Sequence, residues 1–190
     1  DDVVDCHVLV IGSGGAGVRA AIEASQHGDT VLVSETIVGK GGCTTMAEGG
    51  YNAVMREADS CGIHIEDTLK GGAYINVPEL VRILAQEAPL RMGDLVKWGA
   101  VFDVTENDEI AQRPFGGQRF PRTCYAGDRT GHEMMTTLVE RLDGSKVTLV
   151  QEYTVIDLLR DGDTVCGAMA LDEKGRFVLL TADSTILATG

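Results

Sequence analysis

Two short apolar runs near the start of the chain predict buried strands. Cys6–Ile11 (CHVLVI) and Thr30–Glu35 (TVLVSE) are rich in β-branched residues, as in strands covered on both faces of a parallel sheet. The segment between them has helical periodicity and ends at Gly28; its apolar face comprises Val18, Ala21, Ile22 and Ser25. The pattern therefore predicts a strand, a helix and a second strand.

Glycines fill the turn between the first strand and the helix. Gly12, Gly14 and Gly17 occupy the three positions of a GxGxxG motif, in the segment GSGGAG that also contains Gly15 and Ala16. In that motif the first glycine permits the tight turn, the second lets the backbone approach a pyrophosphate, and the third lets helix and strand pack closely. The N–H groups at the start of the helix favour phosphates. A dinucleotide, either NAD or FAD, is the predicted ligand.

The second predicted strand ends in an acidic residue. Glu35 could accept hydrogen bonds from an adenosine ribose, and its charge would repel a 2′-phosphate. Its neighbours Ser34 and Thr36 belong to the same predicted nucleotide site. A glycine-rich turn without a ligand is the alternative, but strand, glycines, helix, strand and acid in this order favour the nucleotide.

A long loop follows, where a simple NAD domain would continue into another helix. The stretch VGKGGCTTMAEGGYNAV, from Val38 to Val54, holds five glycines around Cys43. Its backbone N–H groups and the hydroxyls of Thr44 and Thr45 could line the ribityl chain and the flavin edge. The loop therefore favours FAD; a flexible surface loop is the alternative.

The pattern of the remaining sequence predicts helices followed by strands. Asn76 is the predicted N-cap of a helix whose predicted apolar face comprises Leu80, Val81, Leu84 and Ala88. Pro89 should kink or restart this helix, after which Leu90, Leu95, Val96 and Trp98 continue to Gly99. After Leu142, KVTLVQE predicts a parallel strand, and three strands separated by DGD and DEKG predict an antiparallel meander that returns to the main sheet. The last predicted strand is Thr185–Thr189.

Composition narrows the class of protein. The 190 residues are 44% hydrophobic and carry a formal net charge of −13, which argues against nucleic acid or an anionic membrane as a partner. No apolar run reaches the roughly 18 residues that span a bilayer, and no basic flank precedes the first apolar run. The five cysteines form no CxxC pair, so no metal is predicted and reduced thiols in a cytoplasmic protein are expected. His64 and His132 are assigned structural or solvent-facing roles.

Five stretches, in order, resemble the flavoprotein subunit of the succinate dehydrogenase, fumarate reductase and L-aspartate oxidase superfamily. They are VIGSGGAGVRAAIEASQHG, CTTMAEGGYNAV, DTLKGGAYINVPELVRILAQEAPLRMGDLVKWGAVFD, RPFGGQRFPRTCYAGDRTGHEMMTTLVERL and STILATG. The resemblance implies an α/β, Rossmann-like FAD-binding domain of the glutathione-reductase kind, a parallel sheet with a β-meander that lacks the capping domain. Three parts are expected: the dinucleotide-binding βαβ unit and flavin loop (1–55), a helical insert (56–142), and the β-meander and return strand (143–190).

In this family the loop ending in AEGG wraps the isoalloxazine. The resemblance therefore places a run of residues against the flavin: Gly42, Cys43, Thr44, Thr45, Ala47, Glu48, Gly49 and Gly50. Gly49 and Gly50 would lie close to its reactive edge, with Gly50 also near the substrate. The turn from Tyr153 to Val155 is expected to make backbone contacts to the adenine.

Cys43 departs from the pattern of the membrane-bound respiratory members. They carry the flavin covalently on a histidine that aligns with Cys43, so the resemblance implies noncovalent FAD here. A thioether from Cys43 is chemically conceivable because thiolates are good nucleophiles, but a small packing residue is the simpler interpretation.

Phe115 bears on the choice of substrate. The family's FGG or EGG element, here Phe115-Gly116-Gly117, faces the dicarboxylate, and L-aspartate oxidases have glutamate at its first position. A carboxylate can pair with a substrate ammonium group and a phenyl ring cannot. Phe115 therefore favours fumarate or succinate; a core aromatic residue beside a turn is the alternative.

The resemblance also implies where the family's catalytic residues lie and which reaction and partners the full enzyme has. The family's catalytic residues are expected beyond Gly190, so this stretch alone should be inactive. In the full enzyme it implies hydride transfer between FAD and a C4-dicarboxylate, with fumarate reduction favoured and an iron–sulfur subunit or domain as electron partner. L-Aspartate oxidase and a non-catalytic nucleotide-binding fragment are the alternatives. A cytoplasmic location is expected, with any attachment to the inner face of a membrane made through partners.

Overall fold

The fold is α/β, with a large mixed sheet and a small antiparallel one. A computed structural model describes residues 2–190. In chain order its elements are β1 (Asp2–Ile11), α1 (Gly15–Ala24), β2 (Thr30–Ser34), β3 (Tyr51–Asn52), α2 (Cys61–Gly71), α3 (Pro78–Lys97), β4 (Gln112–Arg113), β5 (Thr123–Cys124), α4 (Thr130–Asp143), β6 (Thr148–Gln151), β7 (Thr154–Asp161), β8 (Thr164–Leu171) and β9 (Phe177–Leu187).

The large sheet has the strand order β6-β2-β1-β9-β8-β7. Strands β6, β2, β1 and β9 run parallel, whereas β9, β8 and β7 form an antiparallel meander. All five residues of β2 are buried, and Leu9, Leu32 and Leu180 are fully inaccessible to solvent. This confirms the predicted fold class, a parallel Rossmann-like sheet extended by a β-meander.

One continuous strand, β9, replaces the separate last strand predicted at Thr185–Thr189. Its first part pairs antiparallel with β8, and the strand pairs parallel with β1 from Val178 to Leu187. Because β1 offers a continuous row of hydrogen-bonding groups, β9 has no reason to break between the meander and the parallel part of the sheet. The strand ends at Leu187, two residues before the predicted end.

The chain divides into two compact units. Asp1–Met46 and Met134–Gly190 form one, which contains the six-stranded sheet and α1; we call it the sheet unit. Ala47–Glu133 forms the other, which contains α2, α3 and the three-stranded sheet β3-β5-β4; we call it the helical unit. The divisions after residues 55 and 142 stay predictions.

The helix predicted with an N-cap at Asn76 and a break at Pro89 is a single helix, α3. Its N-cap is Val77, and Pro78 occupies the first turn, where its missing N–H costs nothing. Pro89 lies inside the helix, which continues for eight more residues to Lys97. The helix therefore does not restart at Pro89, whereas the kink stays a prediction. Its buried face includes Val81, Ala88 and Leu95, as predicted, but is completed by Ala85 and Met92. The other leucines of the predicted face, Leu80, Leu84 and Leu90, are exposed.

Among residues 2–190, none of the helices is both long enough and apolar enough to cross a bilayer.

Candidate functional site

Two glycines of the GxGxxG turn are required by packing. Gly12 has φ +106°, a left-handed conformation, and a Cβ there would overlap the carbonyl oxygen of Ala188. A Cβ on Gly17 would overlap the carbonyl oxygen of Gly12. Strand β1, the turn, α1 and the residue after β9 are therefore in backbone contact, which explains why the helix begins at this distance from the sheet.

The other glycines of the turn border open space. Gly14, the N-cap of α1, has extended backbone and no side-chain cap, and a Cβ there would meet only Thr44 Oγ1, at 3.8 Å. The N–H of Gly15 donates to Thr44 Oγ1 over 3.1 Å. The Thr44 hydroxyl accepts this bond through an oxygen lone pair, and its O–H group can still donate to another acceptor. The first turn of α1 contains no acidic residue, so its positive end is not neutralised locally.

These groups line a cavity of about 440 Å³ in the sheet unit. The structure gathers eleven of the predicted cofactor residues around it: Gly12, Gly14, Gly15, Ala16, Ser34, Glu35, Thr36, Gly42, Cys43, Thr44 and Val155. Gly17 and Thr45 do not line it. Gly17 packs against the turn, and the Thr45 hydroxyl donates to the carbonyl of Gly41 over 3.2 Å.

Several cavity residues were missed by the sequence interpretation. Ser13 shares a hydrogen bond between side-chain hydroxyls with Ser34, which ties the turn to the end of β2. Ala188, Thr189 and Gly190 line the cavity because β9 ends next to β1. Tyr153 was not missed, since it begins the turn predicted to contact the adenine; its N–H donates to the carbonyl of Ser34 over 3.0 Å. A general signal existed for these residues, since ligands bind at the carboxyl ends of parallel strands.

The remaining predicted flavin residues, Ala47 to Gly50, lie in the helical unit. Gly50 has φ +132°, and a Cβ there would lie 2.5 Å from the carbonyl oxygen of Cys124. A Cβ at Gly49 would lie 3.1 Å from Cζ of Phe115. Gly50 is thus required by its conformation and its backbone neighbour, whereas a side chain at Gly49 would only need the Phe115 ring to shift by a few tenths of an ångström. Phe115, predicted to contact substrate, packs on Gly49 while 55% exposed.

Arg113 holds the backbone of this loop and was not predicted. Its Nη2 donates to the carbonyls of Gly49 over 2.7 Å and of Glu48 over 3.1 Å, and its Nε donates to Gly49 over 3.2 Å. The guanidinium carbon lies 4.5 Å from the centre of the Tyr125 ring, a cation–π contact. The planar group therefore stacks on one face while its edge binds two successive carbonyls.

A buried ion cluster organises the start of α2. Arg122 is fully buried and binds both oxygens of Asp59, at 2.7 and 2.8 Å, and one oxygen of Asp67, at 2.9 Å. Asp67 also accepts from the side chain of Arg119 over 2.6 Å. The hydrogen bonds from these arginines hold the pKa of Asp67 below its usual range, against the opposing effect of burial.

His64 lies beside this cluster and should make stability depend on pH. Burial, followed by the charge of Arg122, lowers its pKa from 6.5, although Asp59 and Asp67 oppose the shift. As the pH falls below 6.5 the unfolded chain takes up this proton and the folded chain does not. The stabilisation is therefore present above that pH and is lost as the pH falls towards the folded pKa.

Between pH 7 and 5, chemical denaturation should show a smaller loss of unfolding free energy for His64→Gln than for wild type. The exposed His27→Gln control should keep the wild-type slope; equal slopes for all three would contradict the assignment.

Comparison with known proteins identifies the family. The family model described as an FAD-binding domain matches residues 7–190. The chain belongs to this family. It is 50% identical over 194 residues to a subunit of the fumarate reductase (CoM/CoB) of Methanothermobacter marburgensis, covering 100% of the chain and 36% of that protein. It is 38% identical to a fumarate reductase flavoprotein subunit of Mycobacterium tuberculosis, covering 97% of the chain and 32% of that protein.

Solved structures agree with this assignment. The chain matches the Mycobacterium smegmatis Sdh1 complex with a TM-score of 0.95 at 37% identity, covering 100% of the chain and 35% of that one. It matches an E. coli quinol fumarate reductase variant with a TM-score of 0.96 at 31% identity, covering 100% of the chain and 33% of that one. The domain is thus that of the fumarate reductase and succinate dehydrogenase flavoproteins, and the chain spans about a third of the length of these relatives.

The cavity of the sheet unit fits part of FAD. Its glycines leave room that a side chain at Gly14 would occupy, and the uncapped start of α1 offers N–H donors suited to a pyrophosphate. Glu35 stands exposed on the cavity wall, where its carboxylate can accept from ribose hydroxyls. The cavity volume of about 440 Å³ lies within the range of about 300–1,000 Å³ found for ligand pockets.

The thiol of Cys43 should react differently from that of Cys124. Cys43 is exposed on the cavity wall, whereas Cys124 is fully buried and burial raises its pKa to about 11. The shift from 9.0 alone lowers the thiolate fraction of Cys124 about 100-fold. Iodoacetamide labelling followed by peptide mass spectrometry should therefore modify Cys43 first and Cys124 last, and FAD should slow the labelling of Cys43. Equal labelling of Cys43 with and without FAD would remove it from the cofactor site.

Proposed function

We propose that the chain is the FAD-binding part of the flavoprotein subunit of a fumarate reductase. The 50% identity along the whole chain to a subunit of fumarate reductase (CoM/CoB) carries the proposal. The start of α1 and Thr44 would hold the pyrophosphate, Glu35 the adenosine ribose, and the backbone around Val155 the adenine. The loop Ala47–Gly50 would face the isoalloxazine. Bound FAD would supply hydride transfer to and from a C4-dicarboxylate; the chain's part is to bind and orient it.

FAD is proposed to be held without a covalent bond. The position aligned with the flavin-linked histidine of respiratory members is Cys43, which cannot form a histidyl link. The test is to precipitate the full-length flavoprotein with acid and measure the flavin absorbance of pellet and supernatant. We expect the absorbance in the supernatant for both wild type and Cys43→Ser. Colour retained by the wild-type pellet and released by Cys43→Ser would instead establish a thioether.

Phe115 is proposed to favour fumarate and succinate over aspartate. Its exposed phenyl ring offers no charge to a substrate ammonium group, unlike the glutamate of L-aspartate oxidases. Succinate should bleach the flavin of the oxidised full-length protein, and aspartate should not. Phe115→Glu should lower the response to succinate; Phe177→Glu, at a residue of similar exposure, should leave it unchanged. Bleaching of the wild type by aspartate alone would make L-aspartate oxidase the better assignment.

The electron partner is proposed to be an iron–sulfur subunit or domain. The chain supplies no cluster motif, and its relatives include a subunit of the Sdh1 complex. CoM and CoB, in the name of one relative, are alternative donors to assay directly for fumarate reduction. A non-catalytic nucleotide-binding role predicts instead that the protein binds AMP or ADP as tightly as FAD, which equilibrium titration decides.

A further inference from the structure

Pro89 deprives one backbone carbonyl of α3 of its usual hydrogen bond. In an α-helix each N–H donates to the carbonyl four residues earlier, so the carbonyl of Ala85 would accept from residue 89. Proline has no N–H, and its ring crowds that same carbonyl. Because Ala85 is completely buried, bulk water does not reach its backbone to replace the missing donor. We therefore expect a side-chain donor at this carbonyl.

Cys61 provides this donor. It is the first residue of α2, and its Sγ donates to the carbonyl oxygen of Ala85 over 3.5 Å. A thiol is a weak donor, but a buried carbonyl with no partner at all is destabilising. The N-cap of α2, Ser60, accepts from the N–H of Ile63 over 3.2 Å and fixes the start of that helix. The position of Cys61 is therefore built into the fold.

Tyr51 binds a second carbonyl of α3 beside the proline. Proline disfavours the helical conformation of the residue before it, which here is Ala88. The Tyr51 hydroxyl donates to the carbonyl oxygen of Ala88 over 3.3 Å. Burial raises the pKa of Tyr51 from 10.0, against the opposing charge of Arg91, so the hydroxyl remains a donor at neutral pH. Two side chains from outside α3 thus bind the two carbonyls that Pro89 affects.

Tyr51 also joins this part of α3 to the loop Ala47–Gly50. It follows Gly50 directly and begins β3, where it pairs with Cys124 of β5. Gly50 lies so close to β5 that a Cβ there would be 2.5 Å from the carbonyl oxygen of Cys124. Because Gly50 has little room to move independently, a shift of Tyr51 must displace the end of the loop.

We propose that Cys61 and Tyr51 clamp α3 at Pro89, and that this clamp sets the position of the loop Ala47–Gly50 at the flavin. Tyr51 is thus a positioning residue that acts on the flavin through the loop, and Cys61 acts through α3. The clamp fixes the end of the loop, whereas Arg113 binds carbonyls within it. The proposal rests on the function proposed above, since it requires FAD at this loop.

Two single variants of the full-length flavoprotein test the clamp. Tyr51→Phe removes only the hydroxyl, and Cys61→Ala removes the thiol. In both we expect hydrogen exchange to be at least about threefold faster in the peptides Glu48–Asn52 and Ala85–Met92, because each variant removes a hydrogen bond that opposes local opening. The midpoint potential of the bound flavin should also shift, in the same direction for both.

Double variants show whether the proline is the reason for the clamp. In Pro89→Ala the new N–H can donate to the carbonyl of Ala85, so the thiol is no longer needed. Cys61→Ala should therefore change neither exchange nor flavin potential in the Pro89→Ala background, although it changes both in the wild-type background. Tyr51→Phe/Cys61→Ala should affect the loop peptide no more than Tyr51→Phe does, because Cys61 acts on the loop through the bond of Tyr51 to α3.

Two residues away from α3 supply matched controls. Tyr74→Phe, at an exposed tyrosine, and Cys166→Ala, at a half-buried cysteine of β8, should keep the wild-type exchange and potential. If Cys61→Ala does not fold, Tyr51→Phe decides alone.

Three results would overturn the proposal: unchanged loop exchange in Tyr51→Phe, an equal effect of Cys61→Ala with and without Pro89, or faster exchange with an unchanged flavin potential. A wild-type protein that binds no FAD would instead contradict the proposed function, and the exchange data would still decide on the clamp.

Discussion

Gly17→Ala should lose most of its FAD and a large part of its folding stability. The added Cβ would overlap the carbonyl oxygen of Gly12 and lie 3.3 Å from Cβ of Ala188. Neither neighbour can move easily, because Gly12 is itself held in a left-handed conformation against the backbone of Ala188. The overlap is relieved only if α1 moves away from the sheet. Overpacking of this kind costs about 1–3 kcal/mol or more, out of the roughly 5–15 kcal/mol by which a domain is stable.

Two glycine variants serve as matched controls for this prediction. Gly14→Ala should leave the unfolding free energy nearly unchanged, since Gly14 has φ −70° and its nearest neighbour would lie 3.8 Å away, but it should weaken FAD binding. Gly93→Ala, in the middle of α3 with nothing within 4 Å, should stabilise by about 0.5–1 kcal/mol. Denaturant titration and FAD titration of the full-length protein separate the two effects. A Gly17→Ala protein with wild-type stability and affinity would refute the packing argument.

The parts of this fold that could be predicted are those specified by short-range patterns. The strands and helix around the GxGxxG turn follow from local periodicity and from glycines with defined backbone roles. Ten of the eleven predicted residues around the cavity lie in that unit and its loop, whereas Val155 was expected only from the family resemblance. The meander was also predictable, because turn signals separate its strands. In each case the residues that specify the structure are neighbours in sequence.

The features that escaped prediction depend on residues far apart in sequence. Leu80, Leu84 and Leu90 gave the pattern of a buried face, yet they are exposed and α3 turns its alanines and Met92 inward. Small residues on the inner face permit close packing, which a count of large hydrophobic residues does not detect. Arg113 binds carbonyls 64 and 65 residues earlier in the chain, and no local sequence motif predicts such a contact.

Arg113→Gln should loosen the loop that is proposed to face the flavin. The arginine makes three hydrogen bonds to the carbonyls of Glu48 and Gly49. Hydrogen bonds from a charged donor contribute about 1.5–3 kcal/mol each, and every 1.4 kcal/mol changes an opening equilibrium tenfold. Hydrogen exchange measured by mass spectrometry should therefore be at least about tenfold faster in the peptide containing Glu48–Tyr51. If this loop contacts the isoalloxazine, the visible spectrum and reduction potential of the flavin should also shift.

The geometry of the guanidinium, rather than its charge, should determine these effects. Arg113→Lys keeps the charge but cannot bind two carbonyls from one planar edge while stacking on Tyr125, so it should rescue the loop only in part. Tyr125→Phe keeps the aromatic face and should behave like wild type, whereas Tyr125→Ala should resemble Arg113→Lys. Arg82→Gln, at an exposed arginine paired with Glu79, is the control for loss of charge and should change neither exchange nor spectrum. Full rescue by lysine would mean that charge alone suffices. Unchanged exchange in Arg113→Gln would show that contacts such as that of Phe115 with Gly49 hold the loop without the arginine.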